Sequence, residues 1–158
     1  MSKNSFFNIS IIIVIFLLDR LTKLFVLNLY DLSGETNIKI TSFFSINLIR
    51  NEGIAFGLLS FDSKFYYNLI TLLIVVILLI IIWLGHKKKG IEKLCFLAIS
   101  GGALGNLFDR LYYSSVIDFI DLSVNNFHWF IFNIADIFIT LGVIILIILE
   151  FFKKKTNA

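Results

Sequence analysis

Four long apolar runs limit what this chain can fold into. They extend over about 6–29, 65–84, 94–113 and 130–152. Each is close to the roughly 20 residues that an α-helix needs to cross about 30 Å of hydrocarbon. Hydrophobic residues make up 58% of the chain, against about 45–50% in a soluble domain. The excess must face lipid. The expected fold is therefore an all-α membrane bundle of four transmembrane helices, in one domain spanning residues 1–158. Lys3 and the apolar stretch behind it resemble a secretory leader, but Asp19, Arg20 and Lys23 follow where small residues would mark a cleavage site. The first run is expected to be a retained helix.

The basic residues predict an orientation. Lys3, Lys87, Lys88, Lys89, Lys93, Lys153, Lys154 and Lys155 fall on one side of a four-span chain, and Lys39, Arg50 and Lys64 on the other. Both termini are expected in the cytoplasm, with extracytoplasmic segments at about 30–64 and 114–129. In the first segment, Ile38, Ile40, Phe44, Ile46 and Leu48 recur mostly at period two, which predicts strands with one buried face. Val116 and Ile117 predict a short strand in the second. A small extracytoplasmic β-containing subdomain should result. The formal charge of +3, with lysines flanking apolar runs, gives no reason to expect a nucleic-acid partner. The single cysteine, Cys95, excludes an internal disulfide and reads as a buried packing residue.

Ionisable residues inside membrane helices are costly, face the bundle interior and mark function. The first helix carries Asp19, Arg20 and Lys23, with Asp19 and Lys23 spaced to pair. The third carries Asn106, Asp109 and Arg110 on the face that holds Gly102 and Gly105. The fourth carries Asn133 and Asp136. Asp19–Lys23 and Asp109–Arg110 could equally be structural ion pairs, and Gly101 and Gly105 have the spacing of close helix packing. With the expected orientation, Asp118 and Asp136 arrive at the same depth on the outer side, without basic neighbours in the adjacent sequence. Two such carboxyls cannot both ionise cheaply, so they would share a proton, as an aspartic peptidase requires. Asp121 competes with Asp118 and is read as a solvated surface acid. His128 is read as a solitary interfacial residue. No zinc-peptidase motif or phosphate-binding loop occurs, and neither a metal nor a cofactor is expected. A small proton-coupled transporter is the alternative, because buried acids facing a cavity fit it too.

Five motifs in order resemble the lipoprotein signal peptidases: Asp19-Arg20-Leu21-Thr22-Lys23, Asn51-Glu52-Gly53-Ile54-Ala55-Phe56-Gly57, Gly101 to Arg110 (GGALGNLFDR), Val116-Ile117-Asp118-Phe119 and Phe132-Asn133-Ile134-Ala135-Asp136. The resemblance implies a membrane endopeptidase of the bacterial cytoplasmic membrane, acting as a monomer near the outer face. Its substrates would be diacylglyceryl-modified prolipoproteins, cut before the lipid-bearing cysteine while the lipid stays in the bilayer. It further implies Asp118 and Asp136 as the catalytic pair. Asn51, Gly53, Gly105, Asn106, Arg110 and Asn133 would bind substrate or support the pair, with Asp19, Lys23 and Asp109 behind them.

Overall fold

The computed structural model describes residues 3–52, 63–124, 127–128 and 130–156. The elements are α1 (Lys3–Ser33), β1 (Asn37–Lys39), β2 (Phe44–Asn51), α2 (Ser63–His86), α3 (Gly90–Tyr113), β3 (Val116–Val124), β4 (Phe127–His128) and α4 (Ile134–Thr156). The helices differ from the apolar runs at their ends, because polar turns join them. α1 has 31 residues, about 46 Å at 1.5 Å per residue. α4 starts at Ile134, four residues later than the apolarity of Phe130 suggests, because a side-chain cap at Asn133 sets its first turn.

α3 is the central helix and packs against α1, α2 and α4. Its glycines allow this close approach. A Cβ on Gly101 would come within 2.8 Å of Ile15, and one on Gly102 within 2.5 Å of the Ala135 carbonyl oxygen. Among the described residues α2 rests on α3 without packing on α1 or α4, which leaves a cleft between α1 and α2. The core that results is thin. It includes Ile15, Val26, Leu78, Cys95, Ile99, Leu107 and Ala135. Outside it, Leu69, Leu72, Leu73, Val76 and Ile77 of α2 and Leu141, Ile144 and Ile148 of α4 are exposed. In water this surface would aggregate; in lipid it is the ordinary outer face. Three helices, Phe65–His86, Gly90–Tyr113 and Ile134–Lys153, are long and apolar enough to cross a membrane. The protein is membrane-embedded.

The predicted strands form one antiparallel sheet in the order β1-β2-β3-β4. Ile38 pairs with Ile46, and Ile46 with Ile120. A register shift between Ile46 and Ile49 then brings Ile49 opposite Asp118 and Asn51 opposite Val116. β3 is longer than the Val116-Ile117 pair foretold, because residues 116–119 are buried against the helix ends as well as paired. α3 turns into β3 through Ser114, at φ 56°.

Candidate active site

Two carboxylates reach one pocket from different elements. Asp118 is buried in β3, and Asp136 lies in the first turn of α4. A short ladder beside β3 brings them near each other. Phe132 accepts hydrogen bonds from the Phe119 and Ile120 amides and donates its own to Ile120. The residue after Phe132 is Asn133, which therefore stands beside Asp118.

Asn133 is fully buried and orients both acids. Its Nδ2 donates to Asp118 Oδ1 at 2.7 Å and to Asn106 Oδ1 at 3.0 Å. Its Oδ1 accepts from the Asp136 amide at 3.0 Å, and its own amide donates to Asp136 Oδ2 at 3.1 Å. This reciprocal pair is a capping box, with Asn133 at the cap and Asp136 at the third helical position. Asn106 Nδ2 donates to Asp136 Oδ1 at 2.8 Å, and Asn51 Nδ2 donates to Asp118 Oδ2 at 3.0 Å. Each carboxylate is thus held by neutral amide donors. Burial pushes the Asp118 carboxyl up to about 6; repulsion from Asp136 works in the same direction, against the hydrogen bonds from Asn51 and Asn133 and the charge of Lys23.

Behind the amides lies a buried ion cluster. Lys23 contacts Asp19 at 2.9 Å and Asp109 at 2.7 Å, and Arg20 contacts the same two acids at 2.9 and 2.6 Å. Two acids and two bases balance, as burial demands. The acids also bind backbone: Asp109 Oδ2 accepts from the Ile117 amide and Asp19 Oδ1 from the Ala135 amide. The cluster therefore fixes the starts of β3 and α4, the elements that carry Asp118 and Asp136. Gly105 leaves room for it, since a Cβ there would lie 2.5 Å from Asp19 Oδ2.

The two carboxylates line a pocket of about 220 Å³ together with Asn51, Asn106, Arg110 and the apolar side chains of Ile74, Val116 and Ile139. Arg110 NH1 is buried with no hydrogen-bond partner among the described residues. Its guanidinium lies 5.6 Å from the centre of the Tyr67 ring, whose hydroxyl donates to the Arg110 carbonyl. A pocket with two acids and a guanidinium edge can hold a peptide carbonyl and a water. On the other side of Asp136, a second recess is walled by Phe130, Phe132, Ile137 and Leu141.

Several expectations change. Asp109 does not pair with Arg110; its partners are Arg20 and Lys23 across the α1–α3 interface, because helix packing turns Asp109 towards α1. Asp121 is not a solvated surface acid. It is 1% exposed, and His128 Nδ1 lies 2.9 Å from its Oδ1, with Asn47 donating to Oδ2 at 3.3 Å. His128 is therefore not solitary. Alternation along β3 explains this: Asp121 projects from the face opposite Ile120, where β2 and β4 supply polar partners. Asp19 and Lys23 do pair, and Cys95 is buried. Gly53 lies outside the described residues. Sequence reasoning left out Arg20 as a member of the cluster, although its place beside Asp19 was a signal. Asn133, expected inside the fourth helix, stands at its cap instead.

The sequence matches the family model for signal peptidase (SPase) II over residues 11–152. The chain is 50% identical over 157 residues to the lipoprotein signal peptidase of Pelagibacter ubique (strain HTCC1062), covering 98% of this chain and 95% of that one. It is 41% identical over 149 residues to the lipoprotein signal peptidase of Francisella tularensis subsp. novicida (strain U112), covering 92% of this chain and 91% of that one. Two solved structures described as bacterial membrane enzymes share the fold. One has a TM-score of 0.72 at 29% identity, covering 95% of this chain and 90% of that one. The other has a TM-score of 0.73 at 28% identity, covering 90% and 91%.

Proposed function

We infer the activity from a premise that these matches establish: the chain belongs to the signal peptidase II family, and it is a peptidase. The protein removes the signal peptide from diacylglyceryl-modified bacterial prolipoproteins, cutting before the lipid-modified cysteine. It does so as an aspartic peptidase, with Asp118 and Asp136 as the catalytic pair. The observation that carries this reading is that both carboxylates line one pocket and, among the described residues, are held there by amide donors.

The pair carries one proton between its two carboxyls. The ionised carboxyl takes a proton from water, and the water oxygen attacks the scissile carbonyl carbon. The other carboxyl gives its proton to the carbonyl oxygen, which yields a gem-diol. On collapse, the C–N bond breaks, a carboxyl proton goes to the cysteine nitrogen, and a new carboxyl terminus is left on the signal peptide. Two coupled acids titrate as a unit, so either can begin as the base. The unpartnered edge of Arg110 suits a substrate carbonyl, and the apolar recess beyond Asp136 suits hydrocarbon.

Four helices span the bilayer in this reading. α1 does so despite Asp19, Arg20 and Lys23, because all three are buried against α3 and neutralised together with Asp109, while Ile13, Val14, Leu17, Leu21 and Leu24 face outward. Both termini are cytoplasmic, and the carboxylates and the sheet lie near the outer face. The deciding experiment is cleavage by the purified protein of a diacylglyceryl-modified precursor against the unmodified form. Cleavage of the modified form alone is expected, and equal cleavage of both would remove the lipid from the recognition. Reporters placed at Lys88 and after Lys155 should register cytoplasm, and one at Glu35 the outside.

A further inference from the structure

The cleft between α1 and α2 lies at the end of the bundle away from the carboxylates. It has a volume of about 230 Å³. Its floor is α3, through Phe96, Leu97 and Ser100; its walls are Ile9 and Ile12 on one side and Ile81 and Ile82 on the other. The mouth is polar, and among the described residues it carries cationic or neutral groups: Ser5, Asn8, His86 and Lys93. Lys93 is half-buried, and no hydrogen bond or ion pair joins it to another described residue. The nearest acid in sequence, Glu92, is already bound by Lys88 at 3.1 Å and by Lys153.

An ammonium group at the edge of an apolar cleft, with no counter-charge, calls for an anion joined to hydrocarbon. We propose that this cleft binds one anionic phospholipid of the cytoplasmic leaflet, with its phosphate on Lys93 and His86 and an acyl chain between Ile12 and Ile82. Basic pockets between membrane helices on the cytoplasmic side have the right chemistry for such headgroups. A signal peptide is the poorer occupant, because its positively charged start would meet Lys93 and the lysines at 87–89. The bound chain would complete the packing that α2 lacks towards α1. The inference rests on the orientation proposed above, but its test does not depend on cleavage.

The test is native mass spectrometry of the intact protein in micelles that offer phosphatidylglycerol and phosphatidylcholine in equal amounts. One retained phosphatidylglycerol per chain is expected. Lys93→Ala should weaken its retention about fivefold, the effect of one cation near a membrane surface. Lys89→Ala, outside the cleft, should not. Ile9→Trp should abolish retention by filling the cleft with the charge unchanged. Equal retention of the two lipids, or no effect of Lys93→Ala, would overturn the proposal. So would a raised KM for the precursor in Lys93→Ala and Ile9→Trp in phosphatidylcholine alone, since the cleft would then be a peptide site. Absence of any lipid preference in the parent protein, with normal cleavage, would sink this inference and leave the peptidase reading standing.

Discussion

Lys23 donates a hydrogen bond to Asn106 Oδ1 at 3.0 Å, and through it the buried ion cluster touches the carboxylate pair. Asn106 has no freedom to turn over. Its oxygen accepts from Lys23 and Asn133, so its amide nitrogen must face Asp136. A charge with no direct contact to either carboxylate thus decides which way a donor points.

Lys23→Met should therefore harm both folding and turnover. It leaves Asp19 and Asp109 with Arg20 alone in a buried site, which should cost about 3–5 kcal/mol of stability. Asn106→Ala should cost less stability but lower kcat, because Asp136 loses a donor. Thermal unfolding and cleavage per folded molecule separate the two effects. Parent-like kcat in Asn106→Ala would show that this amide does nothing for the chemistry.

Asp118→Asn and Asp136→Asn should each abolish cleavage while the protein stays folded in the membrane. Asn is nearly isosteric and keeps an acceptor, but it cannot act as base or carry the shared proton. A loss of at least 10²–10⁴-fold is expected, and the double variant should be little worse than either single one, because the pair acts as a unit. Turnover of a lipopeptide by purified variants, matched for folded amount, is the measurement. Robust activity in either single variant would falsify the assignment.

In the proposed mechanism, the proton on the pair also sets a pH dependence. Asp118 is lifted from its ordinary 3.8 to about 6, mainly by burial. Its uncharged form is the one the fold favours, so that contribution to stability is complete below 3.8 and is lost as pH rises through about 6. On the proposed mechanism, the same titration removes the shared proton in the free enzyme. The plot of kcat/KM against pH should fall on its alkaline side with a midpoint near 6. Asp118→Asn should flatten the corresponding decline in thermal stability. A level kcat/KM from pH 5 to 9 would exclude a proton shared at Asp118.

Arg110→Ala should raise KM or lower kcat with a modest loss of stability, because its NH1 gives up no protein partner among the described residues. Arg110→Lys should rescue only part, since an ammonium lacks the planar fork. Steady-state kinetics on both variants, beside their melting temperatures, gives the test; parent kinetics in Arg110→Ala would remove it from the substrate site.

Asp121→Ala should destabilise the sheet by about 1–3 kcal/mol, the cost of breaking buried hydrogen bonds, while activity per folded molecule stays near the parent value. His128→Ala should do less, because His128 is more than half exposed. Urea unfolding and lipopeptide cleavage on both variants check this. Complete inactivity of a folded Asp121→Ala would move the chemistry to that carboxyl.

Much of the architecture was legible in the residues. The apolar runs located the helices, and period-two alternation around Ile38 and Ile46 located β1 and β2. Polar side chains stranded in apolar helices pointed to the residues now found around one pocket. What could not be read was partnership across elements. Asp109 stands next to Arg110 in the chain, yet side chains adjacent on a helix point about 100° apart, and packing on α1 gave Asp109 to Arg20 and Lys23. The burial of Asp121 depended on β3 acquiring neighbours on both sides, which no local pattern in residues 114–129 revealed.

The reciprocal cap at the start of α4 has a consequence for how this chain can evolve. The Asp136 carboxylate faces the pocket and at the same time closes the first turn of its own helix by accepting the Asn133 amide. With Asp136 in the proposed catalytic pair, selection on the reaction and selection on folding fall on the same atoms. A descendant released from its substrate would still be held to an acceptor at position 136, and Asn or Glu would be tolerated there long after the reaction was lost. A retained polar residue at that position would say little about whether such a descendant still cuts peptides; an acid retained at position 118, which caps no helix, would say more.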